Sequence, residues 1–167
     1  RNLAEDPRRE SVEAALAKDL RPLWEKSNHR VTHVPFSVNL ENMLVKALRY
    51  RQIERGLEHI DQVLANEKKG IGAQQEKQGT EASFRISRLL IVANDGSERF
   101  YRSCENTLLN HSDRVLLLHV DVSCERLARK LFGREKAVKA LLVSEKDAVS
   151  NVLLSLVAPT TPIIKKP

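Results

Sequence analysis

Cysteine, aromatic residues and long apolar runs are all scarce in this chain of 167 residues, and each scarcity removes a class of protein. The two cysteines, Cys104 and Cys124, show no Cys-x-x-Cys pattern. They are too few for a disulfide scaffold and wrongly spaced for a structural zinc site, so a reducing compartment is expected. The longest apolar runs, Leu89 to Ala93 and Val115 to Leu118, fall far short of the ~18 residues a membrane-spanning helix needs, and no membrane partner is expected. Aromatics make up 4% of the chain, too few for a base-stacking platform of the type single-strand binders use. The six glycines include no G-x-G-x-x-G and no G-K-[ST]. The backbone cradles of dinucleotide and nucleoside-triphosphate sites are therefore missing, and no cofactor is expected.

What the chain does have is positive charge. Lys and Arg number 28 against 22 Asp and Glu, a net of +6, which favours an acidic partner such as nucleic acid. The surplus is uneven. Residues 86–167 carry thirteen basic and nine acidic side chains, and within them Arg126, Arg129, Lys130, Arg134, Lys136 and Lys139 stand against Glu135 alone. A run of this kind is an ordinary solvated helix face unless its position supports binding.

The pattern along the chain predicts an α/β protein with an N-terminal arm. Residues 1–35 form the arm, with a short helix through Val12, Ala15, Leu16 and Leu20 ended by Pro22, and Trp24 anchoring it on the body. From Asn39 the stripe Leu40, Leu44, Ala47 and Leu48, continued by Ile53, Leu57, Ile60 and Leu64, describes one long amphipathic helix or two, broken at Gly56. Residues 66–83, rich in Gly, Gln, Lys and Glu, read as a mobile insertion. Three strand and helix pairs then follow. The strands are Leu89 to Ala93, Arg114 to Val122 and Ala137 to Val143, and the helices are Glu98 to Leu109, one capped by Ser123 and ended by Gly133, and Lys146 to Val157. Alternation of this kind implies a sheet covered on both faces, a three-layer α/β/α sandwich over residues 36–158, with a basic tail at 159–167.

Catalytic constellations are thin. His119 and Asp121, two apart on a strand, invite an acid–base reading, but a histidine in an apolar strand is more simply a core or edge residue. Asp95 follows a buried strand, where open α/β sheets build sites. It has no second carboxylate at metal spacing, and with Asn94 and Gly96 it reads as a turn capping the next helix. A small hydrolase using Asp95 is the enzyme alternative to a non-catalytic protein. Asn42, Lys46 and Arg49 are spaced to share a helix face opposite the leucine stripe, a base-reading amide beside two phosphate-neutralising cations.

Four stretches resemble the ribosomal-protein L-seven-Ae and L-thirty-e family, which binds kink-turn and related RNA. Asn42 to Leu48 is similar to its N-E-x-T-K-A-L helix opening, and Leu89 to Asp95 to its strand ending in A-E-D. Ser123 to Arg129 with Gly133 is similar to its S-K-x-x-L-G segment, and Gly133 to Val138 stands at its RNA-specificity loop. The chain departs from the pattern at Leu40, Met43, Val45 and Asn94. The resemblance implies an L-thirty-e-like fold, structured RNA as partner, and contacts from Asn42, Lys46, Arg49, Asn94, Asp95, Arg126, Arg129, Lys130, Arg134 and Lys136. It also implies a place among the protein subunits of a ribonucleoprotein. The Pop-three-like and Rpp-thirty-eight-like subunits of ribonuclease P and MRP, acting in tRNA and rRNA processing, are one such place, in the nucleus or nucleolus. A cytosolic or mitochondrial ribosome is the other.

Overall fold

The computed structural model describes residues 6–78, 86–133 and 137–157. In chain order it contains α1 (Arg9–Lys18), β1 (Leu20–Pro22), β2 (Arg30–Pro35), α2 (Val38–Arg49), β3 (Ile53–Arg55) and α3 (Leu57–Gln78). These are followed by β4 (Arg88–Val92), α4 (Glu98–Asn110), β5 (Val115–Asp121), α5 (Cys124–Phe132), β6 (Ala140–Val143) and α6 (Lys146–Leu154). The strands form one mixed sheet in the order β1-β2-β5-β4-β6-β3. Strands β2, β5 and β4 are parallel, while β6 runs antiparallel to β4 and β3 antiparallel to β6.

Alternation along the central strands builds two cores. Leu89 and Ile91 of β4, Leu118 and Val120 of β5, and Leu141 and Val143 of β6 face one side, where they pack with Val12 of α1, Leu40 and Leu44 of α2, Leu127 of α5 and Val149 of α6. Leu90, Val92, Leu117 and Leu142 face the other, against Ile60 and Leu64 of α3 and Tyr101 and Cys104 of α4. With helices on both faces, Leu89–Val92 of β4 and all four residues of β6 are buried, which is why these strands read as unbroken apolar runs. The architecture is a three-layer α/β/α sandwich.

Several details differ from the sequence reading. Among the described residues, the segment expected as an arm contributes to the sheet, because β1 and β2 belong to it and β2 pairs in parallel with β5, His33 opposite His119. That pairing partner lies more than eighty residues away, beyond the reach of any local pattern. Trp24 does pack against the body, beside the α3–α4 core, with the Arg102 guanidinium 4.5 Å from its ring centre. The helical stripe expected to run through Ile53 is interrupted by β3, which pairs antiparallel with β6. Of residues 66–83, expected as a mobile insertion, 66–78 continue α3 to Gln78, since Ala, Gln, Glu and Lys sustain a helix without needing an apolar stripe. Residues 79–83 and the tail 159–167 lie outside the described residues. The third of the expected strands begins at Ala140 rather than Ala137, and the last helix ends at Leu154.

Candidate nucleic-acid interface

The C-terminal edge of the parallel strands gathers the starts of several helices. Ser37, Ser97 and Ser123 cap α2, α4 and α5, each hydroxyl accepting from the backbone N–H three residues on at 3.1 Å. Gly56, at φ +84°, turns β3 into α3, and its N–H donates to the carbonyl of Ala140 (3.2 Å) at the start of β6. Only glycine adopts that backbone without strain. The start of α3 and the segment leading into β6 therefore sit at the same edge as Ser123.

The turn after β4 is knitted into this edge by polar contacts. Asn94 donates through Nδ2 to Asp121 (2.7 Å), and its backbone N–H donates to Val122 (2.9 Å). Asp95 accepts from the Cys124 N–H at 2.9 Å. It thus caps α5, 29 residues on, rather than α4, whose cap is Ser97, a correction to the sequence reading. An acid at the N-terminus of α5 also favours the helix dipole. Burial and the Asp95 hydrogen bond push the Cys124 thiol above its ordinary value, so it stays protonated and is a poor nucleophile. The Tyr101 hydroxyl donates to the Ala93 carbonyl (2.6 Å) and accepts from the Gly96 N–H (2.9 Å).

Behind this turn lies His119, whose Nε2 is 3.4 Å from the Tyr101 hydroxyl and whose buried Nδ1 has no hydrogen-bond partner. Burial, with His33 and Arg21 nearby, pushes its pKa down to about 4. The unfolded chain, with an ordinary value of 6.5, binds the proton first, so stability present above pH 6.5 is lost as pH falls toward 4. Screening at its partly exposed side limits the loss to about 1–2 kcal/mol. Urea unfolding at neutral pH and near pH 4 is expected to show that loss in the parent chain and to show it diminished in His119→Gln. His119 is a half-buried strand histidine whose neutral form the fold favours.

Arg126, Arg129 and Lys130 are exposed on α5. Arg129 is tied to Glu125 (3.2 Å), whereas Arg126 and Lys130 form no ion pair among the described residues. Gly133, at φ +64°, ends the helix as expected. Two further cations join this edge. The Arg55 guanidinium lies 4.5 Å from the centre of the Phe132 ring, and Lys139 Nζ 5.8 Å from that of Phe100. Arg55 escapes sequence reasoning because its strand is hidden within an apparent helix. Arg134 and Lys136 lie outside the described residues.

Asn42, Lys46 and Arg49 are all exposed on α2, as their spacing requires. They do not open that helix, which begins at Val38. Nor do they all share the α5 edge. The chain leaves α2 into β3, whose first residue Ile53 opposes Val143, and Val143 opposes Leu89 at the start of β4. Over the ~18 Å of a twelve-residue helix, α2 carries Arg49 to the opposite edge of the sheet from Ser123. Among the described residues no group of three or more His, Cys, Asp or Glu side chains is placed to hold a metal ion. No helix among them is long and apolar enough to cross a membrane.

Fold and edge together define a layered α/β protein with a basic rim. No protein-family model matches the chain and no curated protein matches its sequence. Among solved structures it is similar to a protein of unknown function from Bacillus halodurans C, at 12% identity and a TM-score of 0.51, covering 72% of this chain and 98% of that one. It is also similar to the Giardia lamblia 15.5kD RNA binding protein, at 15% identity and a TM-score of 0.43, covering 71% of this chain and 82% of that one. At such identities the first likeness concerns the fold alone, and the second is too distant to add to it.

Proposed function

We propose that this chain is a non-catalytic RNA-binding protein that recognises structured RNA as a subunit of a ribonucleoprotein. The observation that carries this is the basic rim at the strand edge, where Arg126 and Lys130 have no ion-pair partner among the described residues and Arg55 and Lys139 stand close by. Unpaired guanidinium and ammonium groups at a surface neutralise phosphates and release counterions, the sequence-independent part of RNA affinity. The resemblance read from the sequence narrows the RNA to a kink-turn-like element and the particle to ribonuclease P or MRP, with a ribosome as the alternative host. A hydrolase is disfavoured on physical grounds, since the Asp95 carboxylate is engaged by the start of α5 and the adjacent thiol is held protonated.

Salt titration of binding to a folded RNA hairpin tests the reading. Arg126→Ala and Lys130→Ala should each weaken the complex and flatten the dependence of log affinity on log salt by about one unit. Arg129→Ala, whose charge is already balanced by Glu125, should do less. Absence of binding at low salt, or a slope indifferent to these substitutions, would remove the proposal. Sequencing the RNA that co-purifies with the tagged chain separates ribonuclease P or MRP from a ribosome.

A further inference from the structure

The C-terminal end of α2 has features that the rim does not account for. The Gln52 N–H donates to the carbonyl of Ala47 (2.9 Å) and the Arg51 N–H to that of Leu48 (3.0 Å). This paired closure places Arg51 in the left-handed region at φ +57°. Glycine usually fills that position, and an L-residue there costs about 1 kcal/mol. Arg51 is the only non-glycine residue with positive φ among the described residues. Next to it Tyr50 is 65% exposed, so its ring is open to solvent. Lys46, Arg49 and Arg51 surround this residue in sequence, all exposed and all without an ion pair among the described residues. The Ser144 N–H donates to the Gln52 carbonyl (2.9 Å), which brings the start of α6 alongside, with Glu145, Lys146 and Asp147 exposed there. Of the acids near this end, Glu145 and Asp147 lie at the start of α6, and Glu54 is bonded to His59 at 2.6 Å. The patch thus carries a net positive charge around a solvent-facing aromatic ring, at the sheet edge opposite the α5 rim.

We propose that this patch is a second RNA contact, where one unpaired base stacks on Tyr50 and Lys46, Arg49 and Arg51 neutralise the flanking phosphates. The proposal rests on the RNA-binding reading above and adds to it that the bound RNA includes a single-stranded stretch. A lone aromatic is no platform for a long strand, but it suffices for one base, because every base offers a π-face and the cations hold the backbone on either side. Arginine at the left-handed position keeps a cation on the residue that follows the tyrosine, at a backbone cost that glycine would avoid.

The test is fluorescence anisotropy of the full chain with two probes, a labelled oligouridylate of about eight nucleotides and a blunt-ended RNA duplex. Tyr50→Ala is expected to weaken oligouridylate binding about five- to hundredfold and to leave duplex binding unchanged. Tyr50→Phe should restore the parent affinity, since the ring and not the hydroxyl does the stacking. Arg51→Gly should flatten the salt dependence of oligouridylate binding by about 0.7 units while raising the melting temperature, so that a loss of affinity cannot be a loss of fold. If Tyr50→Ala binds oligouridylate like the parent while Arg126→Ala weakens duplex binding, the second contact is refuted, the RNA reading stands, and the exposed ring is left for a protein partner. A Tyr50→Phe variant as weak as Tyr50→Ala would also refute stacking. Failure of the parent chain to bind either probe would overturn both readings.

Discussion

Replacing Glu67 with alanine is expected to lower the unfolding free energy by about 3 kcal/mol, with the loss read from urea denaturation at neutral pH. Glu67, on α3, is gripped by two arginines from the start of neighbouring strands. Arg88 holds both of its carboxylate oxygens at 3.0 Å, through Nε and a terminal nitrogen, and Arg114 donates to Oε1 at 3.0 Å. Arg114 is only 6% exposed, and its second contact, to the Leu64 carbonyl, is long at 3.4 Å. Without Glu67 a buried guanidinium loses its counter-charge, and that orphaned charge, more than the lost attraction, sets the size of the effect. Arg88→Met with Glu67→Gln should cost less than Glu67→Ala alone, because the amide oxygen of the substituted side chain can still accept from Arg114. The same cluster carries a pH signature. Burial pushes the Glu67 carboxyl up, but the hydrogen bonds and charges of Arg88 and Arg114 outweigh it and hold the group below its ordinary value of 4.5. Its contribution is therefore complete above pH 4.5 and is lost as pH falls below that value, a window lower than the one His119 produces.

Leu127→Ala is expected to cost a similar amount, about 3 kcal/mol, and to act on the proposed interface from beneath. Leu127 is fully buried and packs in the core shared by α2, α5 and α6. Truncation removes its transfer free energy and leaves a cavity that the rigid sheet below cannot collapse to fill. With nine residues, α5 has little helical stability of its own and depends on this packing. The neighbouring Arg126→Ala should leave stability nearly unchanged while weakening RNA binding. A thermal melt paired with a binding titration therefore distinguishes support of the rim from contact with RNA. Equal losses of stability from Leu127→Ala and Arg126→Ala would mean that the arginine is structural.

The sequence by itself determined the elements whose causes are local. The apolar runs Leu89–Val92 and Val115–Leu118 declare strands, while Ser123 and Gly133 mark helix ends through contacts with residues three or four positions away. The alternation of those elements implied a covered sheet, and the concentration of cations on α5 was visible as composition. Tertiary structure decided the rest. A three-residue strand such as Ile53–Arg55 has no period to read, and it exists because β6, nearly ninety residues on, offers a hydrogen-bonding edge. The same holds for β2, which became part of the sheet through β5, and for Asp95, whose acceptor role was settled by a helix start 29 residues away. Helical spacing correctly placed Asn42, Lys46 and Arg49 on one exposed face. Which edge of the molecule that face reaches depends on the polarity of strands it never touches in sequence, and so Arg49 lies with Tyr50 and Arg51, away from the α5 rim. Backbone hydrogen bonds between distant segments satisfy groups that any residue carries, so side-chain identity alone cannot announce them.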